Sequence, residues 1–305
     1  MVCFLRRSPV RVAVVAMVLG LLGALGLGAT PASAARTVHR STATSSKRYY
    51  VSLGDSYSIG YQPGPSATRH GYADQTVMKA TRRGYRLQLV NFGCGGATTT
   101  SILQATTCPL PAVGGPSYGG LTQAAAAESF LRVHAGQIAL VTVSIGGNDL
   151  TMCARDPNPI ACVTQATTAI KANVSQLATD LRAAAGPNVP IVGLTYPDVI
   201  LGEWVLRPVD ENLARLSVTA FQALINPALQ QSYAVAGARF VDVTKATGAY
   251  LPLTRTTTLK PYGVIPVAVA RVCTLTYYCE AGDIHAHTSG YGVIADLIVA
   301  TLPRV

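Results

Sequence analysis

Three times in its first half the chain runs through a short apolar stretch and then breaks into small residues. Residues 49–53 lead into Gly54-Asp55-Ser56, residues 86–92 into Gly93-Cys94-Gly95-Gly96, and residues 138–144 into Ile145-Gly146-Gly147-Asn148-Asp149. Their β-branched and aromatic content makes these runs strands, while 72–82 and 121–134 between them have the composition of helices. Further on, 162–185 reads as a helix stopped by Gly186-Pro187 and 189–194 as a fourth strand. A helix pair over 211–236, broken near Pro227, precedes a fifth strand at 239–243, and an apolar helix closes the chain at Leu302. Strands alternating with helices pack as a parallel sheet covered on both faces, so the expected class is α/β. Residues 250–278 show no regular pattern and are expected to form a lid or one wall of a pocket.

Open α/β sheets bind ligands at the carboxyl ends of their strands, where all three small-residue turns arrive. Ser56 falls just past the first strand, at the expected start of a helix. There its hydroxyl can face a ligand and its own N–H can help hold a developing oxyanion. An Asp-Ser pair is also an ordinary helix cap, so this turn alone is a weak signal. The glycines at 93–96 permit close approach of backbone N–H groups. Thr98 stands where the dinucleotide fingerprint needs glycine, so no nucleotide cofactor is expected. Asn148 can donate a side-chain N–H or simply complete a turn.

The chain's other end carries Asp283-Ile284-His285-Ala286-His287. In an extended segment an aspartate two residues from a histidine points to the same side, orients the imidazole and stabilises its protonated form. That suits a general base for a serine delivered from elsewhere. The same residues could instead only hydrogen-bond backbone at a helix entry. As metal ligands Asp283, His285 and His287 lack the further cluster that would complete a site, so no metal is expected.

The N-terminus bounds the compartment. Arg6, Arg7 and Arg11 precede an apolar stretch at 12–27, and Ala32-Ser33-Ala34 offers a small-residue cleavage site, so residues 1–34 read as an export signal and 35–48 as a flexible spacer. The domain then spans 49–305, and the protein is expected outside the cell. Cleavage removes three of 24 Lys and Arg residues and no acid, taking the net charge from +10 to +7. That charge is dispersed and lacks interleaved aromatics, which argues against nucleic acid and allows at most peripheral contact with anionic membrane or envelope surfaces. Six cysteines remain, and export makes disulfides the default. Six allow fifteen pairings, but their local spacing favours Cys94–Cys108, Cys153–Cys162 and Cys273–Cys279.

Four stretches, Gly54-Asp55-Ser56-Tyr57-Ser58, residues 91–96, Gly146-Gly147-Asn148-Asp149 and Asp283-Ile284-His285, together resemble the signature blocks of the GDSL, or SGNH, hydrolase superfamily. The resemblance implies a flavodoxin-like three-layer α/β/α sandwich with a central, mainly parallel sheet. It implies Ser56 as nucleophile, His285 as base and Asp283 as its orienting acid. The oxyanion donors would be the backbone N–H groups of Ser56 and Gly96 and the Asn148 side chain. Many members separate the last acid and histidine by two residues and follow the histidine with proline; here one residue separates them and Ala286 follows. Gly290-Tyr291 matches the usual continuation and registers His285 rather than His287 as base. An α/β-hydrolase elbow would need glycine where Ser58 stands. The expected protein is therefore a secreted, monomeric serine esterase, without cofactor, acting on small-molecule or lipid esters. Acylated glycans are the alternative substrate, and a non-catalytic envelope-binding module is the alternative function.

Overall fold

A computed structural model describes residues 48–303; the export signal and nearly all of the spacer inferred above lie outside them. Five strands, β1 (Arg48–Gly54), β2 (Leu87–Asn91), β3 (Ile138–Ser144), β4 (Ile191–Leu194) and β5 (Arg239–Val241), form one sheet in the order β2-β1-β3-β4-β5. Every pairing is parallel. This is the doubly wound flavodoxin-like order, whose chain reversal between β1 and β3 opens a crevice at the strands' carboxyl ends. β3 is buried along its whole length, as a central strand covered on both faces must be.

Side chains alternate across the sheet and so build two cores. Tyr50 and Leu140 face one layer, made by α1 (Tyr72–Thr81) and the C-terminal helix. Val51, Leu53, Val141 and Val143 face the opposite layer, made by α2 (Gln123–Val133), α3 (Pro159–Ala185) and the second helix of the 211–236 pair. Local chemistry sets where helices start. Thr122 caps α2 by accepting from the Ala125 N–H at 3.2 Å, and Asn158 caps α3 ahead of Pro159 by accepting from Ala161 at 3.3 Å. The helix pair is α4 (Glu211–Ala220) and α5 (Asn226–Ala234), joined by a π-helical turn at Phe221–Ile225. That turn falls directly before Pro227, whose nitrogen has no hydrogen to continue the α-helical ladder.

Residues 250–278 are ordered rather than irregular. They contain an antiparallel hairpin, β6 (Thr256–Leu259) with β7 (Gly263–Pro266), and then α6 (Val267–Leu275). Their apolar residues, among them Ile265, Ala268, Val269 and Val272, are buried with Leu201 and Ala249 in a small satellite core. The last helix, α7 (Thr288–Thr301), packs against α1. Among the described residues no helix is long and apolar enough to cross a membrane.

The end of β1 is the tightest junction in the sheet. Gly54 has φ +137°, and a Cβ there would collide with the Ser144 carbonyl of β3. Both of its backbone groups bind one side chain: the N–H donates to Gln123 Oε1 at 2.7 Å and the carbonyl accepts from Gln123 Nε2 at 3.1 Å. Gly54→Ala should therefore cost roughly 2–4 kcal/mol, from strain at positive φ plus displacement of β3. Chemical denaturation of the two proteins measures it.

Candidate active site

Ser56 lies immediately beyond that junction and is only 7% exposed. Asp55 N–H donates to the Ser144 carbonyl at 3.0 Å, extending the β1–β3 ladder by one bond. No α-helix follows, in contrast to the expectation from sequence: residues 55–60 are successive turns. Ser58 takes over the capping role, its N–H and Oγ both donating to the Asp55 carbonyl at 3.1 and 2.6 Å. The Asn91 side chain reaches across from the end of β2 and donates to the Ser58 carbonyl at 2.7 Å. The turn is thus held from both neighbouring strands.

The C-terminal loop brings His285 to this turn. His285 Nε2 lies 2.7 Å from Ser56 Oγ, and Nδ1 lies 2.7 Å from Asp283 Oδ1. The same carboxylate oxygen also accepts the His285 backbone N–H at 2.9 Å, so the one-residue spacing closes on itself and fixes the ring. Three tyrosines secure the loop. Tyr57 Oη donates to the Ile284 carbonyl at 2.7 Å, the Tyr61 ring lies 4.1 Å from the imidazole, and Tyr291 Oη donates to the Tyr61 carbonyl at 2.8 Å. His287 points elsewhere, with Nδ1 3.0 Å from the Thr274 carbonyl and Nε2 3.0 Å from Glu280.

Burial outweighs the attraction of Asp283 and holds the His285 imidazole below its ordinary pKa. A neutral ring with Nδ1–H turned to Asp283 leaves Nε2 free to accept the Ser56 proton. Asp55, fully buried beside Ser56, is pushed up to about 7, chiefly by desolvation. It receives the Tyr57 N–H on Oδ1 at 3.0 Å and the Tyr196 hydroxyl on Oδ2 at 2.5 Å.

The two remaining small-residue turns meet beside the serine. Asn148 donates one Nδ2 hydrogen to the Ala97 carbonyl at 2.8 Å, which fixes its amide and leaves the second hydrogen free of that bond. Asp149 ties the same two turns together, accepting the Thr99 N–H at 3.0 Å and the Thr99 hydroxyl at 2.6 Å. The backbone N–H groups of Ser56 and Gly96 donate to nothing among the described residues. Cys94 and Cys108 are disulfide-bonded, anchoring the loop that follows the glycine turn.

A cavity of about 270 Å³ opens from Ser56, Asn148 and Ile284. One wall comes from Leu150, Met152, Ile160 and Val163, stapled by the Cys153–Cys162 disulfide. The other comes from Ile200, Leu213, Leu216, Phe221 and Ile225. Residues 250–278 were expected to form a lid or one wall, but only Tyr278 of that segment reaches the cavity; most of its apolar side chains are taken up by the satellite core. Cys273–Cys279 is the third disulfide. Tyr196 and Gln123 are further site-building residues that local sequence patterns do not single out, because their partners Asp55 and Gly54 lie 141 and 69 residues away; Asp55 and Asp149 fall inside the signature blocks, but their roles as hydrogen-bond anchors depend on partners brought in by the fold.

The chain matches the GDSL-like Lipase/Acylhydrolase family over residues 52–267, more than half its length, and belongs to that family. The match ends before Asp283 and His285. Among solved structures the chain is similar to an extracellular lipase from Streptomyces rimosus, with 20% identity, a TM-score of 0.48 and coverage of 82% of this chain and 99% of that one. It is also similar to phospholipase A1 from Streptomyces albidoflavus NA297 (21%, TM-score 0.43, 73% and 94%) and to a carbohydrate acetylesterase family member from Sinorhizobium meliloti (15%, TM-score 0.43, 83% and 96%). No curated protein sequence matches it significantly.

Because burial lowers the His285 pKa, the step of the acid limb of ester hydrolysis that belongs to His285 should lie below the pH at which a free imidazole titrates, apart from the Asp55 step at about 7. Asp283 raises that His285 pKa, so Asp283→Asn should move the His285 step lower still while reducing the plateau rate. A pH profile of kcat/KM for the two proteins reads both effects.

Proposed function

We propose that this chain is an exported serine esterase that cleaves esters of apolar acyl chains through an acyl-enzyme on Ser56. The observation that carries the reading is the unbroken relay from Ser56 to His285 to Asp283 at the mouth of an apolar cavity. Ser56 Oγ attacks the ester carbonyl as its proton passes to His285 Nε2, giving a tetrahedral oxyanion and an imidazolium stabilised by Asp283. The Ser56 and Gly96 N–H groups and the free Asn148 amide hydrogen receive the oxyanion. Collapse expels the alcohol, which takes the proton from His285. Water, deprotonated by His285, then attacks the acyl-enzyme and releases the acid and Ser56.

The walls of the cavity favour an acyl chain over acetyl, which would leave them unfilled, so acylated lipids or lipid-like esters come before acetylated glycans. Three disulfides suit oxidation outside the cytosol, in keeping with the export signal. Replacing Ser56 by alanine should abolish hydrolysis, and Asn148→Ala should lower kcat about 100- to 1000-fold. Across a series of p-nitrophenyl esters, each methylene seated in the cavity should raise kcat/KM by up to about fourfold, the worth of burying one CH2, before a plateau. Val163→Phe should move that plateau to shorter chains. A preference for acetyl alone, unchanged by Val163→Phe, would instead favour the glycan deacetylase.

A further inference from the structure

Tyr196 follows β4 at the same edge of the sheet, yet it contacts the turns that end β1 and β3. Its hydroxyl binds Asp55 Oδ2 at 2.5 Å, one residue before Ser56. Its ring lies against Gly147, one residue before Asn148: a Cβ added at 147 would stand 3.0 to 3.3 Å from three ring carbons. The Tyr57 ring packs edge-on against it, centroids 5.1 Å apart, and the Tyr57 hydroxyl holds Ile284, between Asp283 and His285. The tyrosine is itself anchored from behind, since Thr244 Oγ1 donates to its carbonyl at 2.7 Å and Thr195 Oγ1 binds Asn226 Oδ1 at 2.8 Å.

We propose that Tyr196 is a positioning residue for ester cleavage: a strut that sets Ser56 through Asp55 and Asn148 through Gly147. The inference rests on the serine-esterase reading above. Asp55 is buried, and its Oδ1 is already committed to the Tyr57 N–H, so the Tyr196 hydroxyl is the side-chain donor that fixes Oδ2 and with it the rotamer preceding the nucleophile. Loss of that bond frees the carboxylate to turn, and the serine turn moves with it. Small displacements of reacting groups are costly because attack requires aligned atoms about 3 Å apart; Tyr196 and Asp55 also line the cavity, but removing the Tyr196 hydroxyl, which is turned to Asp55, leaves the ring and the apolar walls that hold substrate in place. The effect therefore belongs in kcat rather than KM.

The test uses the full mature chain and p-nitrophenyl hexanoate, comparing wild type with Tyr196→Phe, Asp55→Asn and the double variant, with thermal midpoints recorded alongside. Tyr196→Phe keeps the ring against Gly147 and removes only the hydroxyl. It should lower kcat roughly 10- to 100-fold with KM within about twofold, at a temperature where it is fully folded. Asp55→Asn should also lower kcat, and the double variant should lose no more than the worse single one, because both act through one contact. Wild-type kcat in folded Tyr196→Phe, a loss confined to KM, or losses that multiply in the double variant would each overturn the proposal. Should Asp55→Asn fail to fold, the kcat and KM of Tyr196→Phe decide alone. A wild-type protein without ester turnover, or Ser56→Ala retaining it, removes the serine-esterase reading itself and is told apart from a failure of the strut.

Discussion

A single 2.7 Å contact joins residues 229 apart in sequence, Ser56 Oγ and His285 Nε2, and the architecture around it serves to hold that distance. One partner sits at the tip of the first strand and the other on the last loop before the final helix. Neither loop would stay in place unaided. The Ser56 turn is tied to β3 through Asp55, to the end of β2 through Asn91, and to the histidine loop through Tyr57. α7 closes the circuit: Tyr291, in its first turn and fully buried, hydrogen-bonds the Tyr61 carbonyl while Tyr61 lies against the imidazole. Packing of α7 on the sheet therefore sets where His285 stands.

Burial shapes the chemistry of this contact as well as its geometry. Taking His285 out of water disfavours its charged form more than Asp283 favours it, which suits the ring to the proton-accepting role proposed for it. Asp55 experiences the same desolvation without a cation nearby, and two hydrogen-bond donors are what keep its carboxylate tolerable there. The disulfides act on the surrounding loops. Closures of 14, 9 and 6 residues restrict the glycine loop, the pocket wall and the segment before the histidine.

The five strands and the long helices were legible because short apolar runs bounded by glycine and longer amphipathic segments have distinct periods. The serine, asparagine and Asp-x-His residues were legible because each sits in a local pattern whose spacing limits its geometry. Two readings failed for physical reasons. The apolar content of residues 250–278 does not distinguish a pocket wall from a satellite core, and here the hairpin and α6 bury it against Leu201 and Ala249. Ser56 was expected to open a helix, but Ser58 bonds back to the Asp55 carbonyl and the chain continues as turns. Gln123 and Tyr196 were invisible for another reason: each is unremarkable among its sequence neighbours and gains its role only when the parallel sheet brings distant strand ends together.

The most direct measurement is intact-mass and peptide mapping of the folded, disulfide-bonded protein after exposure to a fluorophosphonate, which reacts with activated serines. The account predicts one adduct per chain, on the peptide carrying Ser56, and its absence when His285 is replaced by alanine. A folded protein that stays unmodified, or carries its adduct on a different serine, would contradict it.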